Sequence, residues 1–242
     1  MKEYLVFRLY GPLASWGQAA VGGDRPTGIY PSRSALLGLF GAALGIKRDE
    51  EERLRELQDS AVFAVKHCVP TTLMRDYHTT QVPSTKKNVV HFTRKSELSE
   101  GSLNTILSSR DYRCDGLWVV AVNLNDGVRM SLQQLQNALL QPKYSLYLGR
   151  KSCPLALPLM PKIVQEKSLK LALDTSFPPL VSEKSDRYWL CSNGQATYFW
   201  EGDREEFASD GVLTTHPWDE PVHRRRWQFK QRVLHQLTIN ED

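Results

Sequence analysis

Hydrophobic residues occupy every second position near the start of the chain, the spacing that predicts a strand. Leu5, Phe7 and Leu9 fall on one face of a strand expected over residues 4–10, which the Gly-Pro pair at 11–12 should end. A loop rich in glycine, proline and arginine follows. Together with the helix after it, we interpret this loop as a backbone site for phosphates.

A densely apolar helix comes next, with its N-cap at Ser32 or Ser34 and its end at Gly45. Apolar residues surround nearly all of it, which indicates a buried helix. Gly38 and Gly41 lie one turn apart, and we expect them to let the helix backbone approach a sheet closely.

The N-terminus of this helix is a candidate site for an anion. Helix N-termini carry free N–H groups and partial positive charge, and here Arg33 lies in the first turn with Arg25 upstream. In the alternative interpretation, both arginines are surface charges and the glycines merely turn the chain. Neither a P-loop nor a dinucleotide fingerprint is present in the sequence.

The later pattern alternates strands and helices around one long polar insertion. We expect an acidic exposed helix over 49–58, a strand over 61–69, the insertion over 70–116, a strand over 118–124, a helix over 131–140 capped by Ser131, and a last strand near 157–164. This order predicts an α+β fold of the ferredoxin-like (RRM-like) β-α-β-β-α-β type over residues 1–164. Residues 165–242 are assigned to a small, mostly β C-terminal region, in which 188–191 and 196–200 should pair as a hairpin.

Charge and cysteine usage narrow the class of protein. The 242 residues carry a formal charge of +4 and the pI is 8.8, which permits nucleic-acid binding without demanding it. Cys68, Cys114, Cys153 and Cys191 are far apart without a Cys-x-x-Cys pair, so neither a zinc site nor a disulfide framework is predicted. Met1 leads directly into the first strand, so we expect no signal peptide and a reducing cytoplasm.

A second dense site covers residues 144–154. Gly149 allows close backbone approach, Arg150 and Lys151 can neutralise phosphates, and Ser152 can donate a hydrogen bond. Two tyrosines in the same stretch are suited to stacking on bases. Because the stretch follows a helix, we expect it to lie near the first glycine-rich loop.

A third site lies at the base of the insertion. One interpretation of His78, with Tyr77 and Arg75 beside it, is a metal-independent ribonuclease in which histidine is the acid or base and Arg or a nearby Lys86 stabilises the phosphorane. The alternative is that His78 only forms a hydrogen bond and Arg75 pairs with Asp76. No second histidine or lysine is fixed to His78 by local spacing, so we favour this alternative and assign no catalytic residue.

Two remaining features of the sequence are not assigned to a functional site. The other histidines show no metal-ligand spacing and are treated as structural or surface residues. A basic run with interleaved aromatics, residues 221–231, includes Arg224, Arg225 and Arg226. We interpret it as a solvated face or a protein contact in preference to a base-reading surface.

Several motifs occur together in one order. They are Gly-Pro at 11–12 with Ser-Trp-Gly-Gln at 15–18, Arg-Pro-Thr-Gly at 25–28 with Pro-Ser-Arg-Ser at 31–34 and Leu-Leu-Gly at 36–38, Gly-Ile-Lys-Arg-Asp at 45–49, Arg-Asp-Tyr-His-Thr at 75–79, and Tyr-Leu-Gly-Arg-Lys-Ser-Cys-Pro-Leu at 147–155. In this combination the chain resembles the Cas-five-type, RAMP-superfamily subunits of the type I-E CRISPR interference complex Cascade. The resemblance covers roughly residues 1–160.

The resemblance implies a ferredoxin-like fold with a β-hairpin thumb, which we map onto the insertion at about 70–116. It implies a non-catalytic subunit that caps the 5′ end of the complex by binding the repeat-derived 5′ handle of the crRNA, without metal or cofactor. The implied partners are the repeated backbone subunit, met by the thumb, and the large subunit that surveys target DNA; no membrane is expected. The expected RNA-binding residues are Trp16, Gln18, Arg25, Thr27, Arg33, Ser34, Arg75, Tyr77, His78, Tyr144, Tyr147, Gly149, Arg150, Lys151, Ser152 and Cys153.

Two other functions stay open. Some relatives in another CRISPR subtype cut the precursor crRNA themselves, so a metal-independent endoribonuclease is one alternative, although in the type I-E set a separate subunit does this. A structural adaptor whose basic residues contact only protein partners is the other.

Overall fold

The structure, a computed structural model, describes residues 1–20, 22–85, 88–99, 101–190, 194–223, 226 and 228–240. The strands are β1 (Lys2–Ala14), β2 (Ala61–His67), β3 (Thr72–Pro83), β4 (Leu103–Leu124), β5 (Lys162–Glu166), β6 (Gln195–Trp200), β7 (Leu213–Thr215), β8 (Glu220–His223), β9 (Gln228–Lys230) and β10 (Leu234–Asn240). The helices are α1 (Arg33–Leu44), α2 (Glu51–Ser60), α3 (Arg94–Leu98), α4 (Leu132–Leu140), α5 (Leu169–Leu173) and α6 (Glu183–Trp189), with a 3₁₀ turn at Arg204–Glu206.

One antiparallel sheet dominates the fold. Its strands follow the order β5-β1-β4-β2-β6-β10-β7, and β3 joins it by pairing with β4. Strands β8 and β9 form a separate two-stranded ribbon. The chain is therefore a mixed α/β protein with an antiparallel sheet. In the described part of the chain, no helix is long and apolar enough to cross a membrane.

Strand β4 is 22 residues long and serves two structures. Its first half pairs with β3, from Leu103 opposite Pro83 to Cys114 opposite Thr72. Its second half lies between β1 and β2 in the sheet. The polar insertion predicted over 70–116 is thus a long β-hairpin, called the insertion hairpin below, with α3 between its arms.

The predicted end of the first strand is wrong. β1 continues through the Gly-Pro pair to Ala14 because β4 runs beside it, with Gly11 opposite Gly116 and Leu13 opposite Cys114. A partner strand supplies hydrogen bonds that local turn signals cannot anticipate.

Helix α1 begins and ends as predicted. The Ser32 side chain accepts a hydrogen bond from the Ala35 N–H, and Gly45 closes the helix in the left-handed conformation at φ 71°. The role predicted for the internal glycines is wrong. Gly38 is exposed with open space around it, and a Cβ on Gly41 would make only an ordinary 3.8 Å contact with a leucine of α2.

Both faces of the sheet are covered. Leu5, Phe7 and Leu9 share one face, as predicted, and pack beneath α1 and α4. Helix α4 is held by the capping box of Ser131 and Gln134. The opposite face is covered by α5 and by residues of the C-terminal region.

The C-terminal region extends the same sheet. The hairpin predicted from 188–191 and 196–200 is wrong, because Tyr188 and Trp189 belong to α6, and β6 pairs with β2 and β10 instead. Residues 191–193 lie outside the described residues. The last strand expected near 157–164 is β5, a few residues later, and it pairs with β1.

Candidate nucleic-acid interface

The two loops predicted to bind phosphates lie against each other, as expected. The Ser15 N–H donates to the Leu148 carbonyl at 3.0 Å. Gly149 has φ 84°, and a Cβ at this position would lie 1.8 Å from the Ser15 carbonyl oxygen. Only glycine allows the second loop to pack this closely on the first.

The base of the insertion hairpin joins the two loops through Asp111 of β4. Its N–H donates to the Arg25 carbonyl at 3.0 Å, and its own carbonyl accepts from the Ser15 hydroxyl at 3.0 Å. Its buried carboxylate binds Arg75 of β3 in a bidentate pair, with Nε–Oδ1 at 2.8 Å and Nη2–Oδ2 at 3.1 Å. The three predicted stretches therefore converge at one place.

Cations gather around this junction. We call Arg25, Arg75, Arg113, Arg150 and Lys151 the basic cluster. Arg113 donates to the Gly28 carbonyl at 3.3 Å, and Arg150 donates to the Arg25 carbonyl at 3.2 Å while its guanidinium lies 5.0 Å from the centre of the Tyr112 ring. Hydrogen bonding by Arg75 and the charges nearby lower the pKa of the Asp111 carboxyl. Fixed guanidinium groups with exposed members suit a polyanion.

Three predicted contact residues are buried and serve the loops themselves. Trp16 is 2% exposed and packs edge-on against Trp118 at 5.1 Å, so its ring is closed to a base. Thr27 is buried, and its hydroxyl accepts from the Trp16 N–H at 2.8 Å. Cys153 is fully buried, which raises the pKa of its thiol. These three residues support the interface from below, contrary to the prediction of direct contact.

The anion site predicted at the start of α1 is already filled by the chain's own acids. The Arg33 N–H donates to Asp219 Oδ2 at 2.8 Å. The Arg33 guanidinium is buried and pairs with Glu201 at 2.6 Å and Glu220 at 2.5 Å. The prediction that Arg33 binds phosphate is therefore wrong, and neighbouring Ser34 bonds to the Ser32 hydroxyl at 3.1 Å.

These acids belong to a buried ion network that the sequence did not indicate. Arg232 forms a bidentate pair with Asp219, at 2.6 and 3.0 Å, and lies 3.2 Å from Glu201. Burial raises the pKa of Glu201, although Arg33 and Arg232 both oppose the shift. The network fixes the start of α1 to the C-terminal region, so Arg33 is not counted in the basic cluster.

The third stretch is divided between two sides of β3. Arg75 and Tyr77 lie on one side, and Asp76 and His78 on the other, because side chains alternate along a strand. His78 Nδ1 bonds to Asp76 Oδ2 at 2.6 Å, and the suggested pairing of Arg75 with Asp76 is wrong, since Arg75 binds Asp111. Lys86 lies outside the described residues. Tyr77 and His78, the two described residues of the ribonuclease hypothesis besides Arg75, thus lie on opposite sides of the strand.

The remaining candidates are accessible. Gln18, Tyr77, Tyr144, Lys151 and Ser152 are exposed, and Tyr147 is half-buried. Tyr144 lies at the C-terminal end of α1, because its N–H donates to the Ala42 carbonyl. In the basic run near the C-terminus, Arg224 and Arg225 lie outside the described residues, and Arg226 is exposed. Within the described residues, no group of three His, Cys, Asp or Glu side chains could hold a metal ion.

Comparison with known proteins gives consistent matches. The family model described as CRISPR-associated protein (Cas_Cas5) matches residues 4–235. The CRISPR system Cascade subunit CasD of Escherichia coli (strain K12) is 42% identical over 167 residues, which cover 66% of this chain and 70% of that protein. A chain of a CRISPR RNA-guided surveillance complex has a similar fold, with a TM-score of 0.64 and 24% identity over 98% of this chain and 90% of that one. The fold of another solved Cas protein is also similar, with a TM-score of 0.63 and 21% identity over 98% and 95%.

Proposed function

This chain belongs to the Cas5 family of CRISPR-associated proteins, and from this premise we propose that it is a non-catalytic subunit of a type I-E Cascade complex that binds and caps the 5′ handle of the crRNA. The observation that carries the proposal is the basic cluster, in which three segments distant in sequence are joined through Asp111. A subunit of this kind works in antiviral defence, in the cytoplasm.

We infer a ferredoxin-like domain over residues 1–164. The strand order β5-β1-β4-β2, with α1 between β1 and β2 and α4 between β4 and β5, supports this inference. The insertion hairpin serves as its thumb. The region over 165–242 is an addition that extends the sheet through β6.

In the proposed mode of binding, a hooked single strand lays successive phosphates on the basic cluster. Arg25, Arg75 and Lys151 are exposed and supply charge, and Gly149 lets the RNA backbone approach the loop. Bases point outward, where the exposed rings of Tyr77 and Tyr144 are available for stacking.

The insertion hairpin also carries exposed apolar side chains that suit a protein partner. Leu73, Ile106 and Leu107 are each about half exposed, and Phe92 is 91% exposed. We propose that this surface meets the repeated backbone subunit. The large subunit is the second neighbour, and target DNA is reached only through the assembled complex.

The test is binding of the full chain to a short RNA that carries the repeat-derived 5′ handle, against a scrambled RNA, at two salt concentrations. We expect selective, salt-sensitive binding. Replacing Arg150 and Lys151 together by alanine should flatten the salt dependence by about 0.7 slope units for each phosphate that the variant no longer neutralises. The matched control is Arg53→Ala with Arg55→Ala on α2, which removes the same charge away from the cluster and should leave the slope unchanged.

Two results would overturn the proposal. Equal affinity for both RNAs, with an unchanged slope in the Arg150 and Lys151 variant, would favour an adaptor that contacts only proteins. Cleavage of the handle RNA at one position in EDTA, abolished by His78→Ala, would establish the ribonuclease.

A further inference from the structure

Asp111 occupies an unusual position for a carboxylate in a site that binds polyanions. It is 6% exposed, and the charges of Arg75, Arg113 and Arg150 all lower the pKa of its carboxyl group. Simple electrostatics makes such a group unfavourable, because it would repel each phosphate that approaches. The hydrogen bonds around it suggest a different role.

The side chain of Asp111 orients Arg75. The pair uses the Nε–Nη2 edge of the guanidinium, so the end of the group that carries Nη1 points away from the carboxylate. The Arg75 side chain is nevertheless 64% exposed. One edge is held by protein while the outer end stays open, which is the arrangement needed to present a fixed guanidinium to a ligand.

The backbone of Asp111 fixes the neighbouring loop. The Arg25 carbonyl accepts from the Asp111 N–H and also from Arg150 Nη2, so the backbone of Arg25 and the side chain of Arg150 are held at the same carbonyl group. The Ser15 hydroxyl closes the set on the Asp111 carbonyl. One residue therefore connects the insertion hairpin, the glycine-rich loop and, through Arg150, the second loop.

We propose that Asp111 is a positioning residue, which holds Arg75 and the Arg25–Arg150 pair in the geometry that fits successive phosphates of the RNA handle. This inference rests on the proposed function and adds to it the residue that sets selectivity. The cations attract any polyanion. Asp111, by fixing their positions, limits tight binding to a strand whose phosphates match those positions.

The test compares two variants that each remove one negative charge from the site. Asp111→Asn keeps the size and the backbone bonds of the residue, but its amide oxygen can accept only one of the two Arg75 hydrogen bonds and it carries no negative charge. Asp24→Asn is the matched control, since Asp24 is exposed beside Arg25 and its charge also raises the pKa of Arg75. Each full-length protein is titrated with handle RNA and with scrambled RNA, and its thermal unfolding is recorded.

We expect Asp24→Asn to bind each of the two RNAs at least as tightly as the unmodified protein does. We expect Asp111→Asn to lose about tenfold in affinity for handle RNA, and little for scrambled RNA, because one of the two hydrogen bonds between charged groups is lost and the other becomes weaker. Arg75→Lys keeps the charge on an exposed side chain without the bidentate edge, so it should lose selectivity in the same way even if Asp111→Asn folds poorly.

Tighter binding by Asp111→Asn, matching Asp24→Asn, would overturn the inference and leave the proposed function intact. Retained selectivity in a folded Arg75→Lys variant would also overturn it. A lack of selectivity in the unmodified protein would instead remove the proposed function, and this inference with it.

Discussion

Replacing Arg33 by methionine tests whether the start of α1 is a structural centre or a phosphate site. Methionine keeps a long apolar side chain but removes the cation that pairs with both Glu201 and Glu220; of the two arginines described in this network, Glu201 then keeps Arg232. Removing one partner from a buried ion pair costs about 3 to 5 kcal/mol of unfolding free energy, because the remaining charges stay buried. For a chain of this size, that corresponds to a fall in Tm of about 6 to 20 °C.

The assay is urea unfolding followed by circular dichroism, with the m-value as a check on the unfolded state. The loss of stability should be larger at pH 8 than at pH 5. Burial already raises the pKa of Glu201, and a raised pKa in the folded state favours folding at low pH, an advantage that disappears as pH rises.

The control is Arg25→Met on the exposed loop, which should change stability by less than about 0.5 kcal/mol and weaken RNA binding instead. If Arg33→Met unfolds at the same urea concentration as the unmodified protein while its RNA affinity falls, the buried-network interpretation is refuted.

Three further changes probe other parts of the fold. Gly149→Ala should cost about 1 to 3 kcal/mol in urea unfolding and weaken RNA binding, because its Cβ meets a neighbouring carbonyl at a positive φ, whereas Gly17→Ala, with open space around it, should be nearly neutral. Burial lowers the pKa of His67 to about 4 from about 6.5, so the folded state resists protonation and should lose up to about 3 kcal/mol as pH falls from 7 to 4; urea midpoints for His67→Gln should lack this part of the slope. Leu135→Ala in the core should cost about 2 to 5 kcal/mol by thermal unfolding, and equal stability of Leu135→Ala and the exposed Leu140→Ala would contradict the packing described.

Features set by neighbours in sequence were predictable from the sequence. The caps of α1 at Ser32 and Gly45, the N-cap at Ser131 and the alternation of Leu5 and Phe7 all depend on residues a few positions apart. Each of these signals has a local physical cause, so each was confirmed. The meeting of the two loops was also expected, because the second loop follows a helix, although the close packing itself depends on the backbone of Gly149.

Features set by distant residues were not predictable from the sequence. Arg33 has the sequence of an anion site, and its actual partner Glu201 lies 168 residues away. Tyr188 and Trp189 favour a strand by composition, but the Ser182 side chain accepts from the Ser185 N–H and starts a helix there. That N-cap signal was present in the sequence and could have corrected the hairpin prediction.

The uninterrupted course of β4 has a consequence for how the insertion hairpin can change. Asp111 and Tyr112 are adjacent in β4, so their side chains leave opposite sides of the strand: the carboxylate binds Arg75, and the ring of Tyr112 packs in the core beneath Arg150. Adding or deleting one residue in the crossing would exchange the carboxylate for the aromatic ring without altering any side chain. Changes in hairpin length are therefore compatible with the site only when they preserve this parity, or when they fall beyond the base of the hairpin.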